Sequence, residues 1–469
     1  YSVAVLVLSG TVILKNVLRE GYKNRKSFWK ILLLILSLSI ILFALIFQRI
    51  QFTTTAAAAG AAALVSYLCL EEKGKSRILD FVLIWLLFHM CMFQRETVGY
   101  VILAFFLLLV GIDALKWIFR DKNFRQMRGR FLFSVLLLAS LLLTTAYSEH
   151  IDSFSEEGEE FREYSDLRVR YMDYDVPSYQ ENPELYEKAG WDETLYIMVS
   201  NWYFMDERYN TDSLREILGA QGKDGEETGE LSPAAEAGTT WLKLVRENRE
   251  VPLKLLLLTV LAAAGFVLYF KQNRKKESVW SILVILGSVL GSALMYLYLC
   301  LKGRLPLRVF DTVMIPAVFL VVICVLRISS GQSADKKIQR WRTGISAVLA
   351  AVFLGVTCVM LTKIFDAEAE AQYQIENGRQ VLLNEFASEN QNDIYIYDTT
   401  LSIVGESIFS QTAGAQVDNL FFWGGTSMFS NGWYEKLEKN GLTELHSKDW
   451  FRDNVYFMTR SEDMIYVLY

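Results

Sequence analysis

Ten apolar segments constrain this 469-residue chain more than any other feature of its sequence. A helix needs about 20 mostly apolar residues to cross about 30 Å of hydrocarbon, and hydrophobic residues make up 52% of the chain. The predicted spans are Val3–Leu18, Trp29–Phe47, Phe52–Leu70, Ile78–Phe93, Val98–Phe119, Phe131–Tyr147, Pro252–Phe270, Val279–Leu301, Leu307–Leu326 and Gly344–Phe365. The predicted fold class is therefore mainly α, a polytopic helical membrane protein whose partner is the lipid bilayer.

The basic residues between these segments predict the orientation of the chain. Of the 31 Lys and Arg residues in the membrane part, 24 fall in alternate loops, and such loops are typically cytoplasmic. These loops are Lys15–Lys30, Lys73–Arg77, Lys116–Arg130, Lys271–Lys276 and Arg327–Arg342. The sequence thus predicts a multi-pass protein of the cell membrane, with residues 148–250 and 366–469 extracytoplasmic.

Two long polar intervals interrupt the apolar segments, and both are acidic. Ser148–Glu250 has a net charge of −16 and Asp366–Tyr469 a net charge of −11, so the rest of the chain carries +21. The predicted domains are residues 1–147 with six membrane helices, 148–250 as an acidic helical module, 251–365 with four further membrane helices, and 366–469 as an α/β module. No nucleic-acid partner is predicted, and the oligomeric state is left open.

Local signals predict helices and turns in the first polar interval. Asn182 before Pro183 is a helix start, Gly190 is a helix end, and Asp192 caps a second helix, Glu193–Phe204. The dense aromatic residues of this interval fit a small buried core, and they also fit stacking on sugar rings.

The second polar interval has the pattern of a small α/β layer. Its runs of β-branched and aromatic residues predict strands, with two helices between them. The predicted strands are Asp393–Tyr397, Asn419–Trp423, Asn454–Thr459 and Met464–Tyr469, and the predicted helices are Ser402–Gln411 and Gly432–Asn440.

The sequence has none of the common soluble-enzyme signatures. It lacks a P-loop, a GxSxG elbow and a dinucleotide fingerprint. No CxxC or HExxH spacing occurs, and all five cysteines lie in apolar segments, so no metal site is predicted. No cofactor is firmly implied.

Two turns on the predicted outer side contain the candidate lipid-phosphate-binding residues. Lys302, Arg304 and Arg308 lie within seven residues, on a side otherwise poor in basic residues, and Arg95 lies in a separate short turn. A cationic turn at headgroup depth suits the phosphate or diphosphate of a lipid carrier. In the alternative interpretation Arg308 pairs with Asp311, and the other cations meet ordinary headgroups or the acidic module.

The candidate residues of the acidic module are Arg168, Arg170 and Tyr174, which we interpret as substrate-binding. Asp173 beside them and Glu96 beside Arg95 are weak candidates for a catalytic carboxylate, which would act as general base on an acceptor hydroxyl. A solvated charged turn is the alternative for Arg168–Tyr174.

The outward-facing spans, the GRLPLR turn and the α/β module after the last span resemble the GT-C class of polytopic glycosyltransferases. The resemblance implies a polyprenyl-phosphate-linked sugar as donor substrate, used at the outer face of the membrane for cell-envelope glycan assembly or modification. The class places its catalytic acid in the first outer loop, and we expect that loop to precede Tyr1 or to be absent. No catalytic residue is therefore carried over.

Two other functions stay open at this point. One is a transporter or flippase of envelope precursors, which predicts buried ionisable residues in the middle of the spans. The other is a non-enzymatic membrane scaffold or receptor that displays two outer domains.

Overall fold

The computed structural model describes most of the predicted segments. The described residues are 2–22, 52–70, 77–121, 124–151, 156–173, 176–201, 204, 206–224, 233–248, 250–271, 276–302, 305–330, 383–397, 417–422, 431–442 and 452–458, with isolated positions between 344 and 358. The chain divides into two compact units. We call Tyr1–Ala146 with Leu231–Phe365 the apolar unit, and Tyr147–Glu230 with Asp366–Tyr469 the polar unit.

The described elements are mainly helices. In chain order they are α1 (Ser2–Tyr22), α2 (Phe52–Leu68), α3 (Arg77–Gln94), α4 (Glu96–Lys116), α5 (Phe124–Ile151), α6 (Glu156–Asp173), α7 (Pro183–Lys188), α8 (Glu193–Ser200), α9 (Thr211–Asp224), α10 (Pro233–Glu247), α11 (Glu250–Lys271), α12 (Lys276–Leu301), α13 (Leu307–Ser330), α14 (383–389), β1 (Ile394–Tyr397), β2 (Leu420–Phe422), α15 (Asn431–Lys439) and β3 (Val455–Met458). A single turn of π-helix, Trp117–Asp121, continues α4.

Six helices of the described chain are long and apolar enough to cross a membrane, and each coincides with a predicted span. They are Ser2–Gly21, Glu96–Phe119, Arg128–Ser148, Glu250–Phe270, Ser278–Leu301 and Leu307–Ser329. Phe52–Leu68 and Ile78–Gln94 form shorter apolar helices. The predicted spans 29–47 and 344–365 lie, apart from a few positions, outside the described residues. The mainly helical fold is confirmed, with six helices of membrane-spanning length and composition, and the total of ten spans stays a prediction.

Helix α2 lies at the centre of the apolar unit, in contact with α1, α3, α4 and α13. Every residue from Thr53 to Tyr67 is buried, which is unusual for a helix and requires neighbours on all sides. Its small side chains permit this close approach: a Cβ atom on Gly60 would lie 2.3 Å from Cγ1 of Ile102. The small side chains of α2 therefore act as a packing surface.

Three arginines bind the last carbonyl groups of α2. Arg130 of α5 donates to the Tyr67 carbonyl at 2.6 Å, and Arg327 of α13 donates to the Leu68 carbonyl at 2.8 Å. Arg19 of α1 donates to the Cys69 carbonyl at 2.9 Å. The final carbonyls of a helix have no partner within the helix, so these guanidinium groups satisfy them and also oppose the negative end of the helix dipole.

Acidic side chains neutralise two of these arginines. Asp113 of α4 lies 3.5 Å from Arg130 and accepts a hydrogen bond from the Tyr67 hydroxyl at 3.2 Å. Glu20 of α1, whose side chain is 2% exposed, lies 3.4 Å from Arg327. The end of α2 is therefore tied to four other helices by charge-assisted contacts.

The polar unit contains a parallel three-stranded sheet with strand order β2-β1-β3. Three of the predicted strands are thereby confirmed, and α15 confirms the predicted helix that ends before Gly441, whose φ is +69°. The strand predicted at 464–469 and the helix predicted at 402–411 lie outside the described residues.

The helix boundaries predicted in the first polar interval are also confirmed, with one correction. The Asn182 side chain accepts from the Leu185 amide at 3.2 Å, Gly190 has φ of +83°, and the Asp192 side chain accepts from the Leu195 amide at 2.8 Å. Helix α8 ends at Ser200 and not at Phe204. The Asn201 side chain donates to the Ile197 carbonyl at 2.9 Å, a local bond that competes with helix continuation.

Both polar intervals contribute to one hydrophobic core. Trp191 and Phe204 from the first interval lie in the same cluster as Ile396, Phe421 and Leu437 from the second. Segments more than 170 residues apart in the sequence therefore fold as one body, with helices from the first interval packed with the small sheet of the second.

We expect Arg130→Ala to destabilise the apolar unit strongly, because it leaves the Asp113 carboxylate without its cation and the Tyr67 carbonyl without its donor. Removing one partner of a buried ion pair costs about 3–5 kcal/mol. Arg128→Ala is the matched control, since Arg128 is an exposed arginine of the same helix, and a change within about 0.5 kcal/mol is expected. Thermal unfolding in detergent micelles measures both; equal midpoints for the two variants would contradict the capping role.

Candidate functional site

The candidate cations lie at the end of the apolar unit opposite the three capping arginines. Lys302 follows α12, and Arg308 is the second residue of α13, whose other end carries Arg327. Arg95, just before α4, places its guanidinium carbon 4.9 Å from the ring centre of Phe52, the first residue of α2. We call this end of the unit the cationic end.

Lys302 and Arg308 are both exposed. Within the described residues neither side chain has a hydrogen bond or an ion pair, whereas Arg304 lies outside the described residues. A cation in the first turn of a helix is repelled by the positive end of the helix dipole, and that same end attracts anions. The start of α13 therefore favours a bound anion for two electrostatic reasons.

Asp311 does not neutralise Arg308 in the described part of the chain. Its carboxylate accepts a hydrogen bond from Nζ of Lys254 in α11 at 2.6 Å, and Glu250 lies 3.9 Å from the same ammonium group. The Lys254 side chain is only 6% exposed. The proposed alternative, in which Asp311 pairs with Arg308, is therefore wrong because a buried lysine from another helix takes the carboxylate.

Sequence reasoning missed this buried ion pair. Lys254 and Asp311 are each the fifth residue of their helices, so they enter the apolar unit at matching depth. That equal spacing was the available signal, since a charge one turn inside a membrane helix needs an opposite charge nearby.

Aromatic side chains hold the turn between α12 and α13. Tyr296 of α12 stacks on Phe310 of α13 with ring centres 4.8 Å apart, and its hydroxyl donates to the Phe310 carbonyl at 3.2 Å. Trp241 of α10 lies 6.0 Å from the Tyr296 ring centre. These contacts pack the C-terminal part of α12 against the first turn of α13, in which Arg308 lies.

Arg95 and Glu96 both have partners. Arg95 lies over Phe52, as described, and its Nε donates to Oγ1 of Thr97 at 3.3 Å. The Glu96 carboxylate accepts a hydrogen bond from the Tyr100 hydroxyl, one turn further along α4. The structure places both candidates at the cationic end, where each makes a hydrogen bond with a side chain of α4.

The candidates of the polar unit occupy different environments. Arg168 is 5% exposed, in the core-facing side of α6, whereas Arg170 is exposed on the same helix. Asp173 ends α6, and its side chain and all of Tyr174 lie outside the described residues. The charged run is therefore not simply a solvated turn, because one of its cations points into the unit.

Most of the aromatic residues described in the first polar interval form core. Trp191, Tyr186 and Phe204 are at most 1% exposed, and Trp191 donates from Nε1 to the Arg208 carbonyl at 3.1 Å. Tyr186 donates to the Pro177 carbonyl at 2.6 Å. These contacts account for the buried aromatics as packing residues, so sugar stacking is left to half-buried rings of this unit.

The described residues contain no group of three His, Cys, Asp or Glu side chains placed to hold a metal ion. No protein family, curated protein or solved structure matches this chain.

We expect the polar unit to lose stability in alkaline solution as its buried phenols ionise. Burial raises the pKa of Tyr164 and of Tyr186 to about 12, from the usual value of 10. Because the folded pKa is raised, the stabilisation is complete below pH 10 and is lost as the pH rises towards 12.

Phenolate absorbance and hydrogen exchange of α6–α9, followed together, measure this loss. Tyr164→Phe removes one of these buried phenols and should reduce the alkaline destabilisation relative to neutral pH. If Tyr164 and Tyr186 ionised near pH 10 while the protein stayed folded, burial would not raise their pKa values and the prediction would be wrong.

Proposed function

We propose that this protein is an integral membrane glycosyltransferase of GT-C type, acting at the outer face of the cytoplasmic membrane on a polyprenyl-phosphate-linked sugar. Its product belongs to cell-envelope glycan assembly or modification. The observation that supports this proposal best is the exposed cationic pair, Lys302 and Arg308, at the cationic end of the apolar unit. An anionic headgroup at that depth supplies the counter-charge that the described residues do not.

The transfer chemistry gives these cations a role beyond binding. The acceptor hydroxyl attacks the anomeric carbon of the donor, the bond to the phosphate oxygen breaks, and the polyprenyl phosphate leaves with increased negative charge. Arg308 and the dipole of α13 stabilise this charge as it develops, as preorganised donors do at other leaving groups. Arg304, in the same turn, is proposed to bind the same phosphate, and Arg95 lies at the same end.

A carboxylate has to accept the proton of the acceptor hydroxyl. Glu96 is the candidate at the cationic end, where its hydrogen bond from Tyr100 orients the carboxylate without neutralising it. Asp173 of the polar unit is the other candidate for this base, and Arg168, Arg170 and Tyr174 beside it are the candidate substrate-binding residues.

The topology proposed here has ten spans, with residues 148–250 and 366–469 outside the cytoplasm. The alternation of basic loops supports it, as does the core shared by the two polar intervals. Parts of one hydrophobic core cannot lie on opposite faces of a bilayer, so both intervals belong on the same face.

The described spans favour an enzyme over a transporter. Their buried ion pairs lie near helix ends: Lys254 with Asp311 at one end, and the pairs around Arg130 and Arg327 at the other. A transporter places ionisable groups near the middle of the bilayer. Pairs at the ends instead fix helix packing and leave the chemistry to the membrane surface.

We expect Arg308→Ala to weaken binding of polyprenyl phosphate by about 1.5–3 kcal/mol, the contribution of a charge-assisted hydrogen bond. Lys302→Ala should have a smaller effect, because an ammonium group makes no bidentate contact. Arg128→Ala, which removes an exposed arginine at the opposite end, is the control and should bind as the wild type does. Native mass spectrometry in detergent measures all three. Unchanged binding by folded Arg308→Ala would refute carrier binding and favour the scaffold function.

Cysteine labelling in intact cells tests the orientation separately. Thr194→Cys and Ser388→Cys, one exposed position in each polar interval, should react with an impermeant maleimide in a background without native cysteines. Arg128→Cys, in a predicted cytoplasmic loop, should react only after the membrane is permeabilised. Protection of Thr194→Cys or Ser388→Cys, or labelling of Arg128→Cys in intact cells, would reverse or break the proposed topology.

A further inference from the structure

The polar unit contains a buried guanidinium group whose charge has no partner among the described residues. Arg168 of α6 is 5% exposed, and its Nε is buried without a hydrogen-bond partner. Within the part of the chain that the structure describes, no carboxylate forms an ion pair with it. Its contact with Tyr164, whose ring centre lies 6.0 Å from the guanidinium carbon, is at the outer limit for a cation–π interaction.

A buried arginine without a counter-charge lowers the stability of the folded protein. Buried charges in proteins are almost always paired, because moving an ion out of water without a counter-charge is strongly unfavourable. Two phenols lie near it, and Tyr164 donates from its hydroxyl to the Tyr209 hydroxyl at 3.4 Å. Burial raises the pKa of Tyr209 well above its usual value, and the nearby charge of Arg168 offsets only part of that rise. Both phenols therefore stay neutral at physiological pH.

The two phenols and the guanidinium group together offer donors. The Tyr209 hydroxyl accepts the bond from Tyr164, which leaves its own proton free to donate. The guanidinium group presents a planar set of N–H donors that matches the two oxygens of a carboxylate or phosphate group. This arrangement lacks only an acceptor that carries negative charge.

We propose that the polar unit binds a small oxyanion, a carboxylate or phosphate group of a soluble ligand, at Arg168 with Tyr209 as second donor. The site is distinct from the cationic end, and the proposal does not depend on the glycosyltransferase function. One buried positive charge is balanced best by a group with one negative charge. A lipid headgroup is a poor fit, because Arg168 lies within the core of α6–α9 and not on an open face.

The sign of a stability change tests whether Arg168 lacks a partner in the protein alone. Arg168→Met keeps the length of the side chain and removes its charge, and it should make α6–α9 more protected against hydrogen exchange in chloride buffer. If a carboxylate of the chain already paired with Arg168, the same variant would leave that carboxylate buried and reduce protection. Reduced protection would therefore overturn the proposal. Asp166→Asn, which removes an exposed charge of the same helix, is the control and should leave protection unchanged.

Added anions test the binding itself. The full chain in phosphatidylcholine nanodiscs is titrated with acetate and with inorganic phosphate at constant ionic strength, and exchange of α6–α9 is followed. At least one anion should increase protection of the wild type and of Asp166→Asn, and Arg168→Met should bind it at least about tenfold more weakly.

The choice of anion identifies the chemical class of the ligand. A response to acetate alone assigns a carboxylate ligand, and a response to phosphate assigns a phosphate ligand. Equal responses of the wild type and Arg168→Met, or no response of the wild type to either anion, would overturn the proposal. Anionic phosphatidylglycerol in the nanodiscs should not replace the soluble anion; protection that follows the lipid alone would assign the contact to a headgroup and refute a soluble ligand.

Discussion

The rest of the apolar unit depends on the contacts that three arginines make at the C-terminal end of helix α2. Its Ala-rich surface lets four helices approach closely, but close packing alone leaves its last carbonyls without donors. Arg19, Arg130 and Arg327 supply those donors from three helices. Asp113 and Glu20 then neutralise two of the guanidinium groups, so that positive charge adds stability without remaining unpaired within the unit.

The two ends of the apolar unit differ in how their basic residues are paired. At the C-terminal end of α2 the arginines donate hydrogen bonds to backbone carbonyls, and two of them pair with buried acids. At the cationic end Lys254 forms an ion pair with Asp311, whereas Lys302 and Arg308 are exposed. The packing of the helices thus decides which basic residues are paired inside the unit and which stay exposed.

In the polar unit the buried phenol and indole groups have hydrogen-bond partners, but one buried charged residue lacks an ion-pair partner among the described residues. Trp191, Tyr186 and Phe204 fill a core that also takes residues from the small sheet, and their polar atoms have partners nearby. Arg168 enters that core without a described carboxylate beside it. The buried indole and phenol groups are thus hydrogen-bonded, whereas Nε of the buried Arg168 is not.

The sequence by itself determined the features that depend on neighbouring residues. Apolar length predicted ten spans, six of which the described residues form as helices long enough to cross a membrane. The caps at Asn182 and Asp192 and the glycines Gly190 and Gly441 predicted helix ends, because each acts within a few residues of itself. Only the tertiary structure decided which charges meet. Asp311 pairs with Lys254, 57 residues away, and not with Arg308, three residues away. Likewise, the two polar intervals share one core only because the folded chain brings them together. Such contacts follow from the packing of distant elements, which no local pattern records.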